Sequence, residues 1–66
     1  MQVRYDSEAD IVYLELGKGR YHISEDISDS IVMDLDKKGK ILGIEIMNVK
    51  KNIPAFNPKH ISVQTS

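Results

Sequence analysis

The sequence contains no cysteine and no tryptophan, and only one phenylalanine. Without cysteine there is no disulfide scaffold, no thiolate zinc site and no thiol nucleophile. Neither sign of charge dominates. Nine Lys and Arg against ten Asp and Glu leave a net charge of −1. A general nucleic-acid or membrane-surface binder usually shows a basic excess, so neither partner is expected. No apolar run approaches the roughly 18 residues of a membrane-spanning helix. The opening Met1-Gln2-Val3-Arg4-Tyr5-Asp6 lacks the basic and apolar regions of a signal peptide. The expectation is a cytoplasmic protein.

What is present is globular in character: 41% hydrophobic and 29% charged residues, a balance that argues against disorder. Sixty-six residues make one small domain. A chain this short buries only about 60% of its unfolded surface. With no disulfide and no evident metal site, either its packing is very good or burial continues across a subunit interface.

The dominant period is two. Met1, Val3 and Tyr5 alternate with Gln2 and Arg4; Val12, Leu14 and Leu16 with Ile11, Tyr13 and Glu15. Ile31, Met33 and Leu35 alternate with Val32, Asp34 and Asp36; Leu42, Ile44 and Ile46 with Ile41, Gly43 and Glu45. These runs predict four strands, over about 1–6, 10–17, 30–36 and 40–48. Short links favour antiparallel neighbours. Asp36-Lys37-Lys38-Gly39 reads as a type I turn closed by a left-handed glycine. Gly43, in mid-strand, marks a bulge or a close backbone approach. Residues 20–27 read as an irregular extended edge segment. Asn48–Ile53 makes one helical turn that Pro54 ends. Beyond it, His60–Gln64 alternates again, as a late strand or a loose arm. The predicted fold is mainly β: a four-stranded antiparallel meander over residues 1–53, with a short C-terminal helical turn. Residues 54–66 form an extended C-terminal arm and not a separate domain.

Two blocks carry a resemblance. Tyr5-Asp6-Ser7-Glu8-Ala9-Asp10, followed by Val12-Tyr13-Leu14, resembles the Y-D-x-E-A-D opening of the prokaryotic domain-of-unknown-function family 2283. Glu25-Asp26-Ile27-Ser28-Asp29 before Ile31–Asp36, then Gly39-Lys40-Ile41-Leu42-Gly43-Ile44-Glu45-Ile46, is similar to the family's second block. The likeness runs from Met1 to about Lys51. Ser7 stands where the family commonly has Pro, and Ser30 where it commonly has Gly; both are turn positions. The resemblance implies a small, β-rich prokaryotic protein with no assigned activity. It also implies a conceivable antitoxin-like role beside a small protein partner.

Several residue sets invite a chemical reading. Asp6, Glu8 and Asp10 supply oxygen ligands of the kind calcium or magnesium takes, yet the central Gly and distal Glu of a calcium loop are missing. Turn formation is the preferred reading. Asp34, Asp36 and Glu45 share an outward face, with Glu15 on a neighbouring strand. Paired carboxylates serve as acid and base only where their environments separate their pKa values; like charges on an outer sheet face more often oppose aggregation. His22 and His60, the only histidines, lie in no metal or triad motif. Ser24, Ser28 and Ser30 near His22 alternate between faces. Lys37, Lys38 and Lys40, with Lys50 and Lys51, read as a solvated turn and a helix end. No catalytic, cofactor-binding or metal-ligating residue is assigned, and no cofactor is expected.

Apolar residues decide the functional expectation. One face carries Val3, Tyr5, Val12, Leu14, Leu16, Ile31, Met33, Leu35, Leu42, Ile44 and Ile46, and the other Ile11, Tyr13, Val32, Ile41 and Met47. A lone sheet has only the tail, with Val49, Ile53, Phe56, Ile61 and Val63, to put against this, which is too sparse to cover it; the alternative is that the tail folds back over its own sheet and the protein is monomeric. The expected function is a non-enzymatic interaction module, a homodimer with C2 symmetry. The alternative is a small enzyme or ligand binder using Tyr13, Asp34, Glu45 and His22 at a subunit interface.

Overall fold

The computed structural model describes residues 1–66. Five strands form one antiparallel sheet: β1 (Gln2–Asp6), β2 (Ile11–Glu15), β3 (Tyr21–Ser28), β4 (Ile31–Asp36) and β5 (Ile41–Met47). One short helix, α1 (Val49–Asn52), follows. The fold is mainly β and antiparallel, as the period-two runs predict, but the sheet has five strands and not four. Its order, β1-β2-β5-β4-β3, is not a meander.

The physical reason lies in residues 16–28. The segment read as irregular is an eight-residue strand, paired to β4 through a tight turn at Asp29-Ser30. Two bulges, at Tyr21/Ile23 and Asp26/Ser28, break its alternation and hide it from a period-two reading. The link from β2 crosses one end of the sheet to the far edge. It spans three inter-strand spacings, roughly 14 Å, within the reach of five extended residues, about 17 Å. Gly17 permits the crossing, because a Cβ there would stand 2.8 Å from the Ile41 carbonyl oxygen. The crossing leaves β5 central, with Val12 opposite Ile46 and Leu14 opposite Ile44.

A third bulge, between Asp34 and Leu35 on the β4–β5 ladder, corrects the assignment of faces. Leu35 pairs with Ile41, so Ile41 joins the apolar face. Leu42 instead lines a cleft with Tyr13, Glu15 and Asp34 on the polar face. The two residues exchange the faces that strict alternation gives them.

α1 and the segment after it cover part of the apolar face. Val49 and Val12 are 1% and 2% exposed and mark the centre of this packing. The Phe56 ring meets Tyr5 edge-on, with centroids 5.1 Å apart. α1 begins at Asn48, a left-handed residue with φ 52° and no side-chain cap of its own. Asp10 replaces the cap: its carbonyl oxygen accepts from the Val49 N–H and its Oδ2 from the Lys50 N–H. His60–Gln64 is an arm with no strand pairing.

Candidate functional site

The polar face of the sheet is built in rows. The registers place Arg4, Tyr13, Glu45, Val32 and Asp26 across the five strands, and beside them Gln2, Glu15, Gly43, Asp34 and Ser24. Gly43 is the gap in this pattern. Tyr13 lies over it and donates its hydroxyl to Asp34 Oδ2 at 3.3 Å, reaching from β2 across β5 to β4. A Cβ on Gly43 would overlap the Tyr13 hydroxyl and ring, and would come within 2.9 Å of the Leu14 carbonyl oxygen.

From Asp34 the network continues to the edge. Ser24 donates to Asp34 Oδ1 at 2.7 Å, and Tyr21 Oη lies 2.8 Å from Ser24 Oγ. Because Ser24 directs its one proton to Asp34, Tyr21 is the donor in that contact. The Arg4 guanidinium sits 5.2 Å from the Tyr13 ring centroid. Tyr13, Glu15, Gly17, Gly19, Tyr21 and Leu42 enclose an open cleft of about 480 Å³ beside Asp34. Burial, and then the Asp34 charge, push the Tyr13 phenol above its ordinary pKa. Tyr13 is therefore a neutral hydroxyl donor near neutrality, and Asp34 an acceptor already serving two hydroxyls. The cleft is equipped to bind polar groups.

The other residues that the sequence singles out fall as follows. Asp6 Oδ1 accepts from the N–H groups of Glu8 and Ala9, forming the turn. Asp10 accepts from the Tyr5 hydroxyl at 2.8 Å and from Lys50 N–H at 3.0 Å. The Lys50 bond is the main cause holding Asp10 below the ordinary aspartate range, against the cost of desolvation. Both carboxylates are thus engaged by the fold, and no group of three His, Asp or Glu side chains is placed to hold a metal ion. Asp36 Oδ1 accepts from the N–H groups of Lys38 and Lys40 and shapes the turn that Gly39 closes at φ 84°. Glu45 lies opposite Tyr13 on the polar face. His22 lies on the exposed β3 and His60 in the arm. Ser24 serves Tyr21 and Asp34. Tyr21, Ser24 and Arg4 are the members of the polar network that alternation does not single out; three-residue spacing across a bulge conceals the Tyr21–Ser24 pair.

A family model described as Protein of unknown function (DUF2283) matches residues 2–50. That span is 49 of the 66 residues and includes all five strands. The chain belongs to the DUF2283 family. No curated protein and no solved structure matches it. The DUF2283 match ends inside α1, so the whole polar network and the Asp10 contact to Lys50 lie within the family region, while the arm lies beyond it. No helix is long and apolar enough to cross a membrane.

The apolar face is the second candidate surface of this DUF2283 domain, and it is unevenly covered. α1 and the arm lie against the β1–β2–β5 side, where Ile53, Phe56 and Ile61 meet Val3, Val12, Leu14 and Ile46 around a groove. On the β3–β4 side only Asn52 and Ile53 approach the sheet, beside Ile31 and the β3–β4 turn. Every residue of β3 is exposed. Ile23 and Ile27 are 48% and 55% exposed, and Ile41 is 45% exposed.

Proposed function

We propose that this DUF2283 protein is a non-enzymatic interaction module whose working form is a homodimer. One observation carries the reading: the single chain keeps too much surface. Its accessible area is 5515 Å², whereas a compact monomer of 7.5 kDa exposes about 4,250 Å². The excess, about 1,300 Å², exceeds the roughly 800 Å² that each partner gives up in an interface of standard size. The radius of gyration, 12.6 Å, likewise exceeds the roughly 11 Å of a compact chain of this length. A small protein partner, the setting that the family resemblance implies, would then meet a dimer and not a single chain.

Sedimentation equilibrium at micromolar concentration tests this. The expected species has twice the 7.5 kDa chain mass. A folded 7.5 kDa species at every concentration overturns the proposal. The Tyr13–Asp34 cleft favours a second reading, a binder of small polar ligands. Its test is a small molecule retained on the native protein by mass spectrometry and lost in Asp34→Ala.

A further inference from the structure

Resting on the self-association reading above, we infer that the second copy docks on the β3–β4 half of the apolar face, with the two β4 strands antiparallel. The other half of the face is already taken. Phe56 stands on Tyr5 at 5.1 Å, and Val49 is 1% exposed beneath α1. What stays open is an apolar strip that the exposed Glu25, opposite Met33, interrupts between Ile23 and Ile27. Ile23 and Ile41 flank Leu35 in register, Ile27 extends the strip along β3, and Met33 lies between them. Leu35 is 9% exposed, while its flanking isoleucines are about half exposed. A strip with a filled floor and bare walls gains most from a flat apolar partner, and the same strip on a second copy is such a surface.

Edge-to-edge pairing through β3 is the competing arrangement, and β3 resists it. Two bulges interrupt its outer hydrogen-bonding edge. Bulges are a means by which sheets deny an edge to another strand. The face is left as the contact surface.

Charge sets the direction. The β3–β4 hairpin is acidic towards its turn, with Glu25 on this face and Asp29 in the turn, both exposed; Asp26 lies on the polar face. The opposite end of β4 is basic, with Lys37, Lys38 and Lys40 exposed in the turn to β5. Asp36, at that end, is occupied by the N–H groups of Lys38 and Lys40. Lys50 and Lys51 stand near the acidic end but belong to α1, on the covered half. A two-fold axis through the strip, with β4 against β4 in opposite directions, sets each lysine turn over the other copy's Asp29 end. A parallel stack would set like charge on like. The interface is thereby self-complementary, as C2 symmetry requires. A groove of about 430 Å³, floored by Ile31, Ile46 and Ile53 and rimmed by Ser28, Asp29 and Asn52, lies where the partner's turn would arrive.

The test uses the whole chain and sedimentation, with circular dichroism to establish folding. Ile27→Asp and Ile41→Asp change residues already half exposed in the protomer, so both variants are expected to fold and to sediment as monomers. Val3→Asp, on the covered half at the opposite edge, is expected to keep the dimer. Asp29→Lys and Lys38→Asp should each raise the dissociation constant roughly tenfold, two rim contacts being lost per dimer at up to about 1 kcal/mol each; the double variant should recover the parental value. A parent that dimerises while folded Ile27→Asp and Ile41→Asp dimerise as tightly refutes the face and leaves self-association standing. A double variant no tighter than either single one refutes the antiparallel arrangement. A parent that is monomeric throughout removes the reading on which the inference rests.

Discussion

Gly43→Ala tests how the polar network is held. Residue 43 is buried in the central strand, beneath the Tyr13 ring. A Cβ would occupy the volume of the Tyr13 hydroxyl and ring, and would also press on the Leu14 carbonyl oxygen at 2.9 Å. The ring can swing away, but the carbonyl belongs to a backbone pinned between two ladders. Overpacking a fitted site costs about 1–3 kcal/mol. Displacing Tyr13 removes its hydrogen bond to Asp34, worth about 1 kcal/mol. The expected loss is therefore about 2–4 kcal/mol, a large part of the roughly 3–10 kcal/mol available to a domain of this length. Urea denaturation followed by circular dichroism measures it. The same substitution in a Tyr13→Ala background should cost at least about 1 kcal/mol less, because the displaced ring is then absent. A Gly43→Ala variant within about 0.5 kcal/mol of the parent, or an equal cost in both backgrounds, refutes the reasoning.

Gly39 sits at φ 84° with no atom within 4 Å of the point where a Cβ would stand, so Gly39→Ala isolates backbone strain: a loss of about 1 kcal/mol is expected in denaturant titration, against little change for Lys38→Ala. Asp10 has a folded pKa below its unfolded one, so its contribution is present near neutrality and is lost as pH falls from about 4 through the depressed folded value; the parent should lose stability over that window more steeply than Asp10→Asn in acid-dependent thermal melts. Phe56→Ala removes the edge contact to Tyr5 and part of the apolar cover; a loss of about 2 kcal/mol, below the full-burial range because Phe56 is half-buried, is expected by the same denaturant assay. The Tyr13 phenol, raised by burial and by Asp34, should ionise late in an alkaline absorbance titration, and Asp34→Asn should bring it down.

Much of the architecture was legible because alternation reports a half-buried sheet directly. Val12 and Leu14, Ile31 and Met33, Ile44 and Ile46 stand where period two puts them. The Gly39 turn, the close approach at Gly43 and the α1 turn before Pro54 followed from local chemistry. What escaped was set by bulges, each of which inserts one residue and reverses the parity beyond it. Two of them turned β3 into apparent irregularity, and one exchanged Ile41 with Leu42. Strand order escaped for another reason: a short glycine-bearing link suggests an adjacent neighbour, yet five extended residues reach across three spacings. Of the polar network, Tyr13 and Asp34 were visible as residues sharing a face. Tyr21 and Ser24 were not, because their partnership exists only across a bulge.

The crossing between β2 and β3 divides the chain in time as well as in space. From Tyr21 to Met47 every strand pairs with its neighbour in sequence, β3 with β4 and β4 with β5, through tight turns. The β1–β2 hairpin is equally local. Only the β2–β5 ladder joins the two, closing a loop from Glu15 to Gly43 at its near end and from Ile11 to Met47 at its far end. Loop closure must be met before that ladder yields anything in return. The three-stranded piece and the hairpin are thus expected to form first and to meet last, with Val12 and Ile46 setting the barrier. In stopped-flow folding, Ile23→Val weakens the piece that forms before this barrier and should slow folding by nearly its full stability cost, whereas Ile46→Val, at the ladder that closes at the barrier, should divide its cost between the folding and unfolding rates.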